Sequence, residues 1–276
     1  MKKFFKALLI GVLSVISVFS FAGCGKKSIG VQTGTTGQFY VDGDADWGFD
    51  GIKGYKSKGY ANGGLAVNDL KNGQVEYVII DKGPALELEK SIDGIKVIDI
   101  ELTEEEYAYG VDKNNALLKT QIDAILGSEV FDIAFSAICA KYATGIGITP
   151  IESAEFDASK ADSQLVVATN AAFPPFEYRE GNKFAGIDME VASLLATALG
   201  MELVIMDMDF NAVVTSVGKN GVDIAMAGLT VTEERAKLVN FTQSYYKSAQ
   251  VVITLENDTS FDACVTAEDV IAVLEK

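Results

Sequence analysis

The chain of 276 residues contains no histidine, and this absence removes several kinds of chemistry. The common zinc sites use histidine as a ligand, and Ser-His-Asp and Cys-His catalysis need it as the general base. Cysteine is also scarce, at Cys24, Cys139 and Cys264. The spacing of the last two leaves open whether they pair or stay free thiols. The composition argues against most hydrolases, and we expect no cofactor and no metal site.

Positively charged residues are outnumbered by negatively charged ones. The sequence has 23 lysine and arginine residues and 39 aspartate and glutamate residues, which gives a formal net charge of −16. Arginine occurs at only two positions, Arg179 and Arg235. No basic stripe is present that could neutralise a series of phosphates, so nucleic acid is not an expected partner.

One long apolar run is present, Ala7–Ala22, preceded by the basic start MKKFFK and followed by Gly23-Cys24. It is short for a membrane-spanning helix, and its flanks are typical of a secretory signal peptide, residues 1–23. The letters FAGC resemble the lipobox of bacterial lipoproteins, which predicts a lipid on Cys24; ordinary cleavage is the alternative. We therefore expect an extracytoplasmic protein, anchored to the membrane by this lipid.

Two stretches of the sequence show the same succession of a helix, a turn and a strand. Leu65–Asp81 and Asn211–Gly228 each run from a short amphipathic helix through Lys-Asn-Gly into an apolar strand. Residues 165–241 read as βαβαβα, with a helix for which Asp188 is the candidate N-cap and Gly200 the end. The pattern predicts an α/β fold with two lobes of similar plan.

Arg235 is the first candidate for ligand binding. It lies in the first turn of a helix that Thr230 or Thr232 can cap. A guanidinium beside a helix N-terminus suits a carboxylate. The alternative is an ion pair with Glu233 or Glu234 on a solvated face.

Aromatic residues follow predicted strand ends. Phe173, Phe176 and Tyr178 surround a Pro-Pro pair after one strand, and Phe210 follows another. Because open α/β sheets bind ligands at the carboxyl ends of their strands, these rings are placed to cover a bound molecule. Ordinary core packing is the alternative for each ring.

Asp81 and the turn Gly34–Gly37 also follow apolar strands. A carboxylate at the end of a buried strand needs a partner, which is either a ligand ammonium or a nearby lysine. The turn lacks the lysine of a P-loop, but its N–H groups and threonine hydroxyls can bind a smaller anion.

Several motifs together resemble a known family. LVVATNAAFPPFEY, GIDMEVASLLATALG, GVDIAMAGLTVTEERAKLVNFTQSYY, IGVQTGTTG and VEYVIIDKGPA are similar to the extracellular solute-binding proteins of polar amino-acid ABC importers, family 3. The resemblance implies a two-lobed periplasmic-binding-protein-like fold of type II, with the ligand cleft between the lobes. It also implies a monomer whose partners are a free amino acid and the ABC permease subunits.

The resemblance assigns the two charged ends of the ligand. Arg235 would bind the α-carboxylate and Asp81 the α-ammonium. The groups that would assist Arg235 are Gly228, Thr230, Thr35 and Thr36.

The resemblance also assigns the ligand side chain. Phe173 and Phe210 would enclose it, and Asn170 and Gln32 would contact its polar end. Asn170 stands where many members have aspartate, which favours a neutral polar side chain. Glutamine, arginine, lysine, histidine and cystine all remain open.

The order of the motifs differs from that of the family, in which LVVATN comes first and IGVQTGTTG later. This order looks like a circular permutation. We expect a signal peptide at 1–23, a distal lobe from 24–103 and 249–276, and a proximal lobe from 104–248, with a linker at 143–163 joining the usual termini. A misjoined pair of tandem genes and exchange between chains are alternatives.

Three functions fit these observations. The first is a lipid-anchored, non-catalytic protein that captures a polar amino acid for transport. The second is an enzyme on the same scaffold that dehydrates cyclic acids, in which Asp81 or a glutamate would be the general acid. The third is a sensor that binds the same ligand.

Overall fold

The computed structural model describes residues 27–276. The predicted signal peptide and Cys24 lie outside the described residues. Within 27–276, no helix has the length and apolar character needed to cross a bilayer.

Nine helices are present in the described part of the chain: α1 Thr36–Asp42, α2 Gly63–Lys71, α3 Lys82–Ser91, α4 Ala116–Leu126, α5 Glu129–Thr144, α6 Ile187–Leu199, α7 Phe210–Ser216, α8 Glu233–Leu238 and α9 Ala267–Leu274. Short 3₁₀ turns occupy Ala158–Ser163.

The first of two large sheets is built from both ends of the described chain. Its strands, numbered like all others in chain order, are β1 Lys27–Gln32, β2 Tyr55–Tyr60, β3 Tyr77–Asp81, β4 Ile95–Ile98 and β15 Gln250–Leu255. Their order in the sheet is β2-β1-β3-β15-β4, in which β1, β2 and β3 run parallel and β15 runs antiparallel to β3 and β4. Side chains alternate between two cores: Ile79 packs in one, and Val78 and Ile80 pack in the other. This sheet, with α1, α2, α3 and α9, is called the first lobe.

The second large sheet lies in the middle of the chain. Its strands are β6 Gly110–Val111, β7 Gln164–Thr169, β11 Glu202–Asp207, β12 Ile224–Ala225 and β13 Asn240–Phe241. The order is β11-β7-β12-β6-β13, with β7 parallel to β11 and β12. This sheet, with α4 to α8, is called the second lobe. A small antiparallel sheet, β8 Ala172–Phe173, β9 Glu177–Glu180 and β10 Lys183–Ala185, extends from it.

Two short strands connect the lobes. β5 Glu105–Tyr107 and β14 Tyr246–Ser248 pair antiparallel, with Tyr246 opposite Tyr107 and Ser248 opposite Glu105. Because the chain passes between the lobes along these two strands, they are the connecting strands of the fold. Tyr107 packs edge-on against Phe176, with 5.2 Å between ring centroids, so one hydrophobic cluster runs through the junction.

The predicted end of α6 is confirmed, since Gly200 ends this helix in the left-handed conformation. Thr266 caps α9 with a reciprocal capping box. The prediction of Asp188 as N-cap is wrong. The cap of α6 is Gly186, and Asp188 is buried in the first turn, where its carboxylate accepts hydrogen bonds from elsewhere in the fold. Cys139 and Cys264 are both free thiols.

The predicted linker lies along the second lobe. Ile151 pairs with Phe184 through two backbone hydrogen bonds, and the Ala154 N–H donates to the Leu203 carbonyl at 2.9 Å. The segment is thus held by specific hydrogen bonds even though its sequence lacks periodicity.

Candidate functional site

The charged groups predicted from sequence meet where the two lobes and the connecting strands come together. Two positions are set by local structure. Thr232 caps α8 by accepting the Arg235 N–H at 3.0 Å, which fixes the backbone that carries Arg235. Thr35 is the N-cap residue of α1, and its hydroxyl donates to the Gln32 carbonyl at 2.8 Å.

The Arg235 guanidinium spans the two lobes. Nη1 donates to the Thr230 carbonyl at 2.8 Å, and Nη2 donates to the Gly34 carbonyl of the first lobe at 3.2 Å. The guanidinium also lies 5.3 Å from the centre of the Phe210 ring. These contacts differ from a pairing with Glu233 or Glu234, the alternative considered from sequence. Burial lowers the pKa of Arg235, and the negative charges of Glu105 and Asp81 oppose this lowering.

Asp81 ends β3 and is buried, with 4% of its surface exposed. The Tyr107 hydroxyl donates to its Oδ1, and Ser248 Oγ lies 3.4 Å from the same oxygen. Its partner is therefore a tyrosine, whereas the adjacent Lys82 pairs with Asp99 and Glu101. Burial first, and then the charge of Glu105, raise the pKa of Asp81 to about 7.

Glu105, on the connecting strand β5, is a site residue that the sequence reasoning missed. Its side chain is buried, and Oε2 accepts the Thr36 hydroxyl at 2.8 Å and the Thr230 hydroxyl at 2.6 Å. Oε1 accepts the Thr103 hydroxyl at 2.8 Å and Gln250 Nε2 at 3.1 Å. One carboxylate thus holds hydroxyls from both lobes.

Gln32 and Asn170 form a further contact between the lobes. Gln32 Nε2 donates to Asn170 Oδ1 at 3.1 Å, and Asn170 Nδ2 donates to the Met208 carbonyl at 2.8 Å. Gln32 Oε1 is buried and has no hydrogen-bond partner within residues 27–276. A ligand N–H group directed at this oxygen would satisfy it.

Gly228 and Phe173 pack closely behind the charged groups. Gly228 has a φ of +54°, and a Cβ atom there would lie 3.0 Å from the Phe173 ring. The Gly228 N–H donates to Asp188 Oδ2 at 2.9 Å, which explains why Asp188 is buried. Burial raises the pKa of Asp188 to about 6. Phe173 also stacks on Phe176, with centroids 6.1 Å apart.

The structure brings all ten predicted ligand-binding residues to the junction of the lobes. Phe210 also lines a cavity of about 550 Å³ between the lobes, to which the first lobe contributes Thr33, Gly59 and Tyr60 and the second contributes Asp209 and Asn211. A concave space between two lobes, next to converging polar groups, suits a small polar molecule.

Two α/β lobes joined by paired strands, with charged groups meeting between them, define a periplasmic-binding-protein-like fold of type II. Residues 165–270 match the family model of bacterial extracellular solute-binding proteins, family 3. The chain is therefore similar to this family over residues 165–270.

Curated relatives give a similar result. The chain is 34% identical over 118 residues to the arginine-binding extracellular protein ArtP of Bacillus subtilis, a match that covers 43% of this chain and 45% of ArtP. It is also 34% identical over 92 residues to the cyclohexadienyl dehydratase of Pseudomonas aeruginosa, covering 33% of this chain and 34% of that enzyme. The chain thus spans less than half the length of these curated relatives.

Among solved structures, the holo arginine-binding protein ArgBP of T. maritima is 38% identical over 33% of this chain and 41% of that chain, with a TM-score of 0.30.

Proposed function

We propose that this protein captures a free polar amino acid between its lobes and delivers it to an ABC permease. The observation that carries the proposal is the placement of Arg235 and Asp81 at one junction: Arg235 donates to the Thr230 carbonyl, Thr230 pairs with Tyr107, and the Tyr107 hydroxyl donates to Asp81. A free amino acid carries one negative and one positive end, and these two side chains complement them. When the lobes close around the ligand, they exclude water from the contact of each charged side chain with the ligand, and this strengthens both contacts.

We propose roles for the surrounding residues that follow the family resemblance wherever their donors can reach a ligand. The hydroxyls of Thr230 and Thr36, which donate to Glu105 in this structure, assist Arg235 with the carboxylate once Glu105 releases them. The Gly228 N–H donates to Asp188 and the Thr35 hydroxyl donates to the Gln32 carbonyl, so these two residues shape the site without donating to the ligand. Phe173 and Phe210 enclose the side chain.

The ligand side chain contacts Gln32 and Asn170 in this proposal. The unpartnered Gln32 Oε1 favours a side chain that donates hydrogen bonds, such as an amide or a guanidinium. Relatives named as arginine-binding proteins favour the guanidinium. The neutral Asn170, in contrast, favours the amide.

Two further parts of the proposal concern location and chain order. A lipid on Cys24, outside the described residues, would anchor the mature protein at the outer face of the membrane. The two lobes would correspond to 24–103 with 249–276 and to 104–248, in a chain permuted relative to the family.

A thermal-shift screen of the twenty amino acids plus cystine tests the central proposal. A ligand at about 100 times its Kd stabilises a protein by about 2.7 kcal/mol, so a true ligand raises Tm measurably. We expect one polar amino acid, glutamine or arginine first, to raise Tm. Absence of a shift with every compound contradicts the proposal.

A second candidate function is dehydration of a cyclic acid. The observations that favour it are the match to a cyclohexadienyl dehydratase and the pKa of about 7 at Asp81, which suits a general acid. Incubation with prephenate or arogenate separates the two: product formation supports the enzyme, and an unchanged substrate with a Tm shift by an amino acid supports the binding protein.

A further inference from the structure

The connecting strand β5 directs two polar side chains into the cleft. Glu105 and Tyr107 are two residues apart, so they lie on the same face of the strand, and both are buried. Glu106, between them, is exposed and accepts the Ser244 hydroxyl at 2.7 Å. The strand therefore presents one carboxylate and one phenol hydroxyl to the groups that surround the ligand in the proposed function.

Glu105 uses the hydrogen-bond donors assigned to the ligand carboxylate. Its Oε2 accepts the hydroxyls of Thr36 at 2.8 Å and Thr230 at 2.6 Å. A threonine hydroxyl has one proton, so it cannot donate to Glu105 and to a ligand carboxylate at the same time. Glu105 and the ligand carboxylate compete for these two protons.

Tyr107 uses the acceptor assigned to the ligand ammonium. Its hydroxyl donates to Asp81 Oδ1, and the Ser248 hydroxyl donates to the Tyr107 oxygen at 3.1 Å. An ammonium group bound to Asp81 would take over the position of this hydroxyl proton. The strand thus supplies a carboxylate and a hydrogen-bond donor, just as an amino acid supplies its α-carboxylate and its α-ammonium.

We infer that β5 acts as an internal substitute for the main-chain groups of the ligand, with Glu105 in place of the α-carboxylate and the Tyr107 hydroxyl in place of the α-ammonium. The inference rests on the proposed function. Glu105 joins Thr36 of the first lobe to Thr230 of the second and so holds the ligand-free protein closed. An arriving amino acid displaces both contacts, and this exchange weakens its net affinity.

Glu105→Gln tests the inference by isothermal titration calorimetry. The variant keeps the size of the side chain and removes the charge that holds the threonine protons. We expect the amino acid that the wild type binds, arginine or glutamine, to bind the variant about tenfold more tightly than the wild type. The reason is that a charged acceptor no longer competes with the ligand carboxylate for the threonine protons. Agmatine has the guanidinium of arginine and no carboxylate, so it should gain less.

Two further variants complete the test. Glu106→Gln removes the same charge from the exposed face of the same strand, and we expect unchanged affinity. Tyr107→Phe keeps the ring packing and frees Asp81, so it should also tighten binding. By small-angle X-ray scattering, ligand-free Glu105→Gln should have a larger radius of gyration than the wild type.

The outcomes separate the inference from the proposed function. If wild type and Glu105→Gln both bind no amino acid, the proposed function fails. If the wild type binds and Glu105→Gln weakens arginine and agmatine alike, Glu105 is a counter-ion for the ligand side chain and the inference is wrong. Unchanged affinity and scattering in the variant also overturn it.

Discussion

The two arginines of the chain lie in contrasting environments. Arg235 contacts backbone carbonyls of both lobes at the cleft, whereas Arg179 pairs with Asp207 at 2.6 Å on the surface. A lysine at 235 cannot form the two-point contact of a guanidinium with a carboxylate. We expect Arg235→Lys to weaken amino-acid binding by roughly a hundredfold, measured by calorimetry.

Arg179→Lys is the matched control, because it makes the same exchange away from the cleft. Its affinity should stay within about twofold of wild type. Equal losses in both variants would mean that Arg235 acts through overall stability rather than through the ligand.

Residues differ in how well their sequence context predicts their role. Arg235 and Asp81 could be identified because each follows a recognisable strand or helix start and matches a family motif. Glu105 could not, because it lies in the run TEEEY, which resembles a solvated acidic turn. Only the alternation of buried Glu105, exposed Glu106 and buried Tyr107 distinguishes it, and that alternation requires knowing that the segment is a strand.

At the scale of elements, two helices with the same type of N-cap allow a matched comparison. The Thr232 hydroxyl accepts the Arg235 N–H in α8, and the Thr266 hydroxyl accepts the Asp269 N–H in α9. Loss of a threonine cap costs about 1 kcal/mol of stability. We expect Thr232→Ala and Thr266→Ala to lower the free energy of unfolding similarly, as measured by urea denaturation.

The two caps should differ in their effect on binding. Thr232→Ala loosens the turn that positions Arg235, so affinity should fall several-fold. Thr266 caps α9, a helix that carries none of the ten ligand-site residues, so Thr266→Ala should bind the ligand with wild-type affinity. Loss of affinity in both variants would contradict a specific role for the start of α8.

The elements themselves were largely predictable, and the exceptions have physical reasons. The break between α4 and α5 falls at Gly127-Ser128, where the helical spacing of apolar residues is interrupted. The start of α6 was missed because Asp188 resembles a cap by residue type. Its carboxylate is instead directed inward by the Gly228 N–H and the Tyr245 hydroxyl, contacts that come from positions distant in sequence.

For the whole molecule, buried carboxyl groups predict how stability depends on pH. Burial raises the pKa of Asp188 to about 6 and that of Asp81 to about 7, and it raises the pKa of Glu177 well above its ordinary value. The folded protein therefore retains protons that the unfolded chain releases above about pH 4. This contribution to stability is complete below that pH and is lost as the pH rises through 6 and 7.

We expect the free energy of unfolding to be lower at about pH 8 than at about pH 5 by a few kcal/mol, measured by urea denaturation. Asp188→Asn removes one of these groups and should flatten the dependence. A stability that increases over this range would show that other groups dominate.

The order of the chain leads to the last prediction. Lys27 and Glu275 lie beside the same turn, since the Lys27 N–H donates to the Gly54 carbonyl at 3.0 Å and Glu275 Oε1 accepts the Lys53 N–H at 3.1 Å. A short glycine-rich loop can join them. Opening the chain between Thr144 and Ile151 instead leaves the hydrogen bonds of Ile151 and Ala154 intact.

If the chain is a permuted member of the family, this reordered protein should fold into the same two lobes and bind the same amino acid with similar affinity, because every strand pair is retained. Circular dichroism and calorimetry measure both. Opening the chain within β7 is the control, because it interrupts the strand between β11 and β12 and should prevent folding. A folded reordered chain without ligand affinity would mean that the present order itself shapes the cleft.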